Sequence, residues 1–143
     1  MCCPLDRLQV AGMRPLGGAC HPRTMRCLLV DDSQDFLDAA GSVLASEDVD
    51  VVGTASTSKE ALELVTQLRP DVILVDINLG TESGFALARA LREAPDSART
   101  PVILISTHAE DDYAELIEAS PAIGFLPKSS VSSAGIRALL EDR

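Results

Sequence analysis

Five polar residues stand where apolar runs stop. Leu28-Leu29-Val30 leads into Asp31 and Asp32, Val72-Ile73-Leu74-Val75 into Asp76, and Val102-Ile103-Leu104-Ile105 into Ser106. Gly124-Phe125-Leu126 is followed, after Pro127, by Lys128. In an open parallel sheet such strand ends share one crevice, beside the point where strand order reverses. Three carboxylates packed there repel one another, which raises their pKa values. A hard divalent cation removes that repulsion, and Mg2+ takes a few carboxylates plus water. A carboxylate flanked by Mg2+, an ammonium and a hydroxyl is well placed to attack a phosphoryl group. The transferred oxygens then find the same three partners. Singly, each residue has a plainer role: Asp31 and Asp32 as helix caps (although Ser33 suits that position), Asp76 and Ser106 as strand ends, Lys128 as a solvated charge. Their joint placement at four strand ends is what carries meaning.

The elements needed to hold them are legible in the apolar periodicity. Strand-length runs fall at Cys27–Val30, Val51–Thr54, Val72–Val75, Val102–Ile105 and Gly124–Leu126. The first, third and fourth are almost wholly Leu, Ile and Val, as in strands covered on both faces. Helical spacing links Phe36, Leu37, Ala40, Val43 and Leu44, then Ala61, Leu62, Val65 and Leu68, then Phe85, Ala88 and Leu91. A shorter helix carries Tyr113, Leu116 and Ile117, and a last one Ile136, Leu139 and Leu140. Thr57 with Glu60 has the spacing of a capping box. Five β–α units joined by short links predict an α/β fold, a doubly wound five-stranded parallel sheet with five helices. Pro127 suits an edge strand, which makes the fifth strand an edge.

With 143 residues, the chain is the size of one domain. Its charge is uneven. Residues 1–26 hold four arginines against one aspartate, and the remaining eight basic and 21 acidic side chains lie beyond. So acidic a body repels phosphate backbones, and four aromatics offer no stacking platform, which argues against direct nucleic-acid binding. No apolar run approaches the ~20 residues that span a bilayer. Cys2, Cys3, Cys20 and Cys27 lack a Cys-x-x-Cys spacing, so a zinc site with His21 is disfavoured, and a body free of cysteine beyond Cys27 suits a reducing cytoplasm. Residues 1–24 contain three prolines and three glycines with little periodicity and read as a disordered tail ahead of a domain at 25–143. Met25 directly precedes the first strand and is a candidate translation start.

Over residues 25–142 the sequence resembles the bacterial response-regulator receiver domain, a CheY-like (flavodoxin-like) fold with strand order 2-1-3-4-5. The matching text is Leu-Leu-Val-Asp-Asp-Ser (28–33), Val-Ile-Leu-Val-Asp-Ile-Asn-Leu (72–79), Pro-Val-Ile-Leu-Ile-Ser (101–106) and Gly-Phe-Leu-Pro-Lys-Ser (124–129). The intervals from Asp32 to Asp76, Ser106 and Lys128 also follow the family pattern. The resemblance implies that Asp76 is the phosphoacceptor and that Mg2+ is held by Asp31, Asp32, Asp76 and the backbone carbonyl of Asn78. It implies phosphoryl binding by Ser106, Thr107 and Lys128, and a switch made of Ser106 and Phe125. It further implies a sensor histidine kinase or phosphotransfer protein as donor, and a separate protein or a phosphorylation-dependent homodimer as output. The output face would be formed by residues 113–119, 124–126 and 131–140, with Phe125 turning inward to reshape it.

Some positions depart from the pattern. Thr107 stands where relatives carry a small residue, and His108 follows it. Ser129 replaces a frequent proline, as in receivers attached to DNA-binding domains. Phe125 lacks a hydroxyl. The last helix pattern stops at Leu140, so a stand-alone receiver, with no activity beyond self-phosphorylation and autodephosphorylation, is the expectation. Two rivals share the chemistry or the fold. An aspartyl-phosphate phosphohydrolase usually wants a second aspartate where Asn78 stands, and a flavin-binding domain wants a phosphate loop that Asp31-Asp32-Ser33 would repel. A phosphate carrier without conformational output is the remaining alternative.

Overall fold

The computed structural model describes residues 25–107 and 113–141. The expected tail, Cys2, Cys3, Cys20, His21 and His108 lie outside the described residues. Five parallel strands form the sheet: β1 (Met25–Val30), β2 (Val49–Ala55), β3 (Val72–Asp76), β6 (Val102–Ser106) and β7 (Gly124–Pro127). Two two-residue strands, β4 (Asn78–Leu79) and β5 (Glu82–Ser83), form a small antiparallel ribbon after β3. The sheet order is β2-β1-β3-β6-β7. With the ribbon set aside, this is the 2-1-3-4-5 order, and β7 with Pro127 is an edge strand.

The helices are α1 (Gln34–Ser46), α2 (Ser58–Leu68), α3 (Gly84–Glu93), α4 (Ala114–Ala119) and α5 (Ser133–Glu141). Because side chains alternate along a strand, each central strand serves two cores. Leu28, Val30, Ile73, Val75 and Leu104 pack with residues of α2, α3 and α4. Cys27, Leu29, Val72, Leu74, Ile103 and Ile105 pack with residues of α1 and α5. That two-sided burial is the physical reason for the unbroken Leu/Ile/Val runs.

Local chemistry sets the helix starts. The Ser33, Thr57 and Ser83 side chains accept N–H bonds in the first turns of α1, α2 and α3. Glu60 N–H donates to Thr57 Oγ1, and the Glu60 carboxylate reaches back to accept from the N–H of Ser56 at 2.9 Å. Two caps come from afar: Glu82 accepts from Ser58 N–H, and Glu47 from Ser133 N–H. β1 and β2 start two residues ahead of their apolar runs, because Met25 pairs with Val49 after a turn at Asp48, whose φ is 66°. Two apolar residues counted by periodicity lie outside the core. Val43 is 45% exposed on α1 and Leu116 54% exposed on α4. Tyr113 precedes α4 as its N-terminal flank, without a side-chain cap bond.

Candidate functional site

The carboxyl ends of β1, β3 and β7 bring the predicted charges together. Asp31 follows β1 and is fully buried; its backbone N–H is held by Ala55 O on β2. Its Oδ1 accepts from Ser33 N–H at 2.9 Å, so the start of α1 fixes the carboxylate. Asp76 ends β3, 5% exposed, and its Oδ1 accepts from Asn78 N–H at 3.2 Å. Lys128 enters from the 3-10 turn after β7 (Lys128–Ser130) and its side chain is 13% exposed. Its Nζ lies 2.6 Å from Asp31 Oδ2 and 3.2 Å from Asp76 Oδ2. Asp32, exposed at the rim, completes the group: Asp31, Asp32 and Asp76 each offer an oxygen, all within 4.8 Å of one another.

The electrostatics follow from burial. Asp76 is pushed up to about 6, first by desolvation and then by the charge of Asp31; the Asn78 N–H and Lys128 pull the other way. Burial alone would lower Lys128, but contacts with Asp31 and Asp76 outweigh it and raise its pKa. Cys27, the buried thiol on β1, is pushed up to about 12 by desolvation and is no nucleophile.

A hard cation fits these donors. Asp31 Oδ2 is buried and makes no aligned hydrogen bond, its close ammonium contact being an ion pair. A cation among three carboxylates would supply the charge that one lysine cannot match.

Ser106 is buried at the end of β6, one residue beyond Ile105, the register partner of Asp76. Thr107 is exposed beside it, and Asn78 is exposed on β4. Phe125 is 8% exposed and packed in the core with Ile117, Phe85 and Leu104. The ring expected to turn inward therefore already sits inside in this conformation.

Several contacts escaped the sequence reading. Phe36, counted as core, places its ring 4.7 Å from Lys128 Nζ. Its position four residues after Asp32, in the first turn of α1, was the available signal. Tyr113 OH meets Asn78 Nδ2 at 3.5 Å, and its ring tilts against Phe85 with centroids 6.2 Å apart. Gly84 starts α3 against the backbone of Asp76 and Ile77; a Cβ there would collide with both, and its N–H donates to Ile77 O at 2.7 Å. A Ser-Gly pair opening a helix eight residues past an aspartate carries that information only once the close approach is known.

The fold and site define a phosphoacceptor-type switch domain, and comparison with known proteins agrees. Residues 27–140 match the family described as response regulator receiver domain, and the chain belongs to that family. It is 36% identical over 127 residues to protein-glutamate methylesterase/protein-glutamine glutaminase 4 of Hahella chejuensis, covering 84% of this chain and 32% of that protein. The chain thus spans about a third of the length of that relative. Among solved structures, the signal receiver domain of NarL from Mycobacterium tuberculosis is 34% identical with a TM-score of 0.70, covering 85% of this chain and 97% of that one. The response regulator domain of CheB from Thermotoga maritima is 29% identical with a TM-score of 0.63, covering 83% and 90%.

Proposed function

We propose that this domain accepts a phosphoryl group on Asp76 in a Mg2+-dependent reaction and relays it as a conformational signal. The observation that carries the reading is the Lys128 ammonium seated between Asp31 and Asp76, with Asp32 beside them. The donor is the phosphohistidine of a sensor kinase or phosphotransfer protein. A carboxylate oxygen of Asp76 attacks phosphorus as the P–N bond breaks, and the electron pair returns to the imidazole. With a small donor such as acetyl phosphate, the broken bond is P–O and acetate leaves.

Asp31, Asp32 and Asp76 hold the metal, with the Asn78 carbonyl as a further ligand. Bound Mg2+ supplies positive charge to the phosphoryl oxygens. Lys128 supplies a second charge, and Ser106 and Thr107 donate hydrogen bonds. The burial that raises Asp76 also keeps bulk water from the acyl phosphate. Signal output uses α4, β7 and α5. Since Phe125 is buried here, phosphorylation acts by holding an inward ring and a drawn-in Ser106, narrowing an ensemble. The output is a contact with a separate protein or a second copy of the chain. These residues are assigned no methylesterase or glutaminase activity, because their match to those relatives covers the receiver portion. Among the described residues, no helix is long and apolar enough to cross a membrane.

The deciding experiment is intact mass after incubation with acetyl phosphate and Mg2+. One added phosphoryl group in the parent and none in Asp76→Asn is the expected result. Undiminished labelling of that variant would overturn the assignment.

A further inference from the structure

Among the described residues, two kinds of group stand close to the Lys128 ammonium. One kind is the carboxylates of Asp31 and Asp76. The other is the ring of Phe36, with its centroid 4.7 Å from Nζ, inside the range of a cation–π contact. α1 delivers this ring: Ser33 caps the helix by accepting from Phe36 N–H itself, so the bond that starts α1 also sets the ring's place. Phe36 is half-buried and packs against the core that holds Leu37 and Val131.

The two kinds of neighbour differ in what a metal does to them. Asp31 and Asp76 belong to the carboxylate group that suits a cation, and a cation weakens their hold on the lysine by competing for the same negative charge. An aromatic face attracts an ammonium and offers a hard cation no oxygen. It is therefore the neighbour of Lys128 that remains when the carboxylates are engaged elsewhere.

We propose that Phe36 is a positioning residue, whose π-face holds the Lys128 ammonium over Asp76 so that it is in place for the phosphoryl oxygens. This rests on the phosphoacceptor reading above. A cation–π contact at a largely desolvated ammonium predicts that losing the π-face costs about three- to thirtyfold in phosphorylation rate. A plain packing role predicts that any apolar side chain of similar size serves.

The test compares the parent with Phe36→Tyr, Phe36→Leu and Phe36→Met, the last as a second apolar filler should leucine pack poorly. The first measurement is the rate of phosphoryl incorporation from acetyl phosphate at saturating Mg2+, with Mg2+ half-saturation followed separately. The second, on metal-free protein, is the exchange of the Lys128 ζ-ammonium protons with water by NMR. Tyrosine should match the parent in both. Leucine and methionine should slow labelling, leave Mg2+ half-saturation unchanged, and speed ammonium exchange. Leucine or methionine behaving as the parent in both measurements would overturn the proposal. A parent that takes no phosphoryl group would instead sink the phosphoacceptor reading, and ammonium exchange in the metal-free variants would still decide the role of Phe36.

Discussion

The two flanks of the sheet are built differently. Around β1 and β3, every helix start is tied down. Ser33, Thr57 and Ser83 cap α1, α2 and α3, Glu82 reaches α2 from the acceptor-side ribbon, and Gly84 lets α3 press on the backbone of Asp76. Beyond β6 the hold loosens. α4 has six residues, no side-chain cap bond and Leu116 more than half exposed, and β7 is a four-residue edge strand. Capped helices with many buried contacts open rarely, whereas short uncapped ones sit at the low-stability end of a fold. The flank that carries Asp76 is thus a rigid frame, and the flank with α4 is the part a modest energy can bias.

The sharpest way to break this contrast is at Asp76, the proposed acceptor. Asp76→Asn should abolish phosphoryl incorporation and with it any change in amide exchange across residues 113–140. An exchange change on treatment of that variant with acetyl phosphate and Mg2+ would show that the two flanks are not coupled through Asp76.

Gly84→Ala tests the rigidity of the frame. The new methyl meets backbone rather than a yielding side chain, so overpacking should cost about 1–3 kcal/mol in urea denaturation and slow labelling. Unchanged stability would mean that the frame gives way more easily than its geometry says.

Charge in the same frame should appear in the pH dependence of the metal-free protein. Asp76 binds its proton more tightly when folded, up to about pH 6, than when unfolded, near 4. Between these values the native state holds more protons, so stability falls as pH rises and stays lower above about 6. Asp76→Asn should remove that slope and gain on the order of 1–2 kcal/mol at neutral pH. Mg2+ should raise the thermal midpoint of the parent there, and Asp32→Ala should blunt that rise. A midpoint that ignores both pH and Mg2+ would contradict the clustered carboxylates.

The smallest effect on stability belongs to the loose flank. Leu116→Gln removes an exposed side chain and should shift stability by less than about 0.5 kcal/mol. Labelling of Asp76 should be untouched, while binding of a partner to this face, or self-association after phosphorylation, should weaken. Impaired labelling would show that α4 feeds back on the acceptor.

The fold and most of the site were open to a reader of the chain, for a definite reason. A parallel sheet covered on both faces demands continuous Leu/Ile/Val runs, and polar residues at the ends of such runs stand out, so Asp31, Asp32, Asp76, Ser106 and Lys128 were visible one by one. Amphipathic periodicity is blunter. It placed Val43 and Leu116 with the core because spacing names a helix face without saying how far a neighbour covers it. It also absorbed Phe36 into that core, because an aromatic at helical spacing looks the same whether it meets leucine or an ammonium.

What the sequence by itself determined is the order of elements and the set of groups at one end of the sheet, since both follow from local patterns of two and 3.6 residues. What only the tertiary structure decided are relations between residues far apart in the chain. Lys128 meets Asp31 and Asp76 across 97 and 52 residues and lies 4.7 Å from the ring centroid of Phe36. Gly84 presses on Asp76, and Phe125 lies inside rather than at the surface. Such distances depend on how strands twist and helices seat against them, which no local pattern encodes, and they turn a set of strand-end charges into a site.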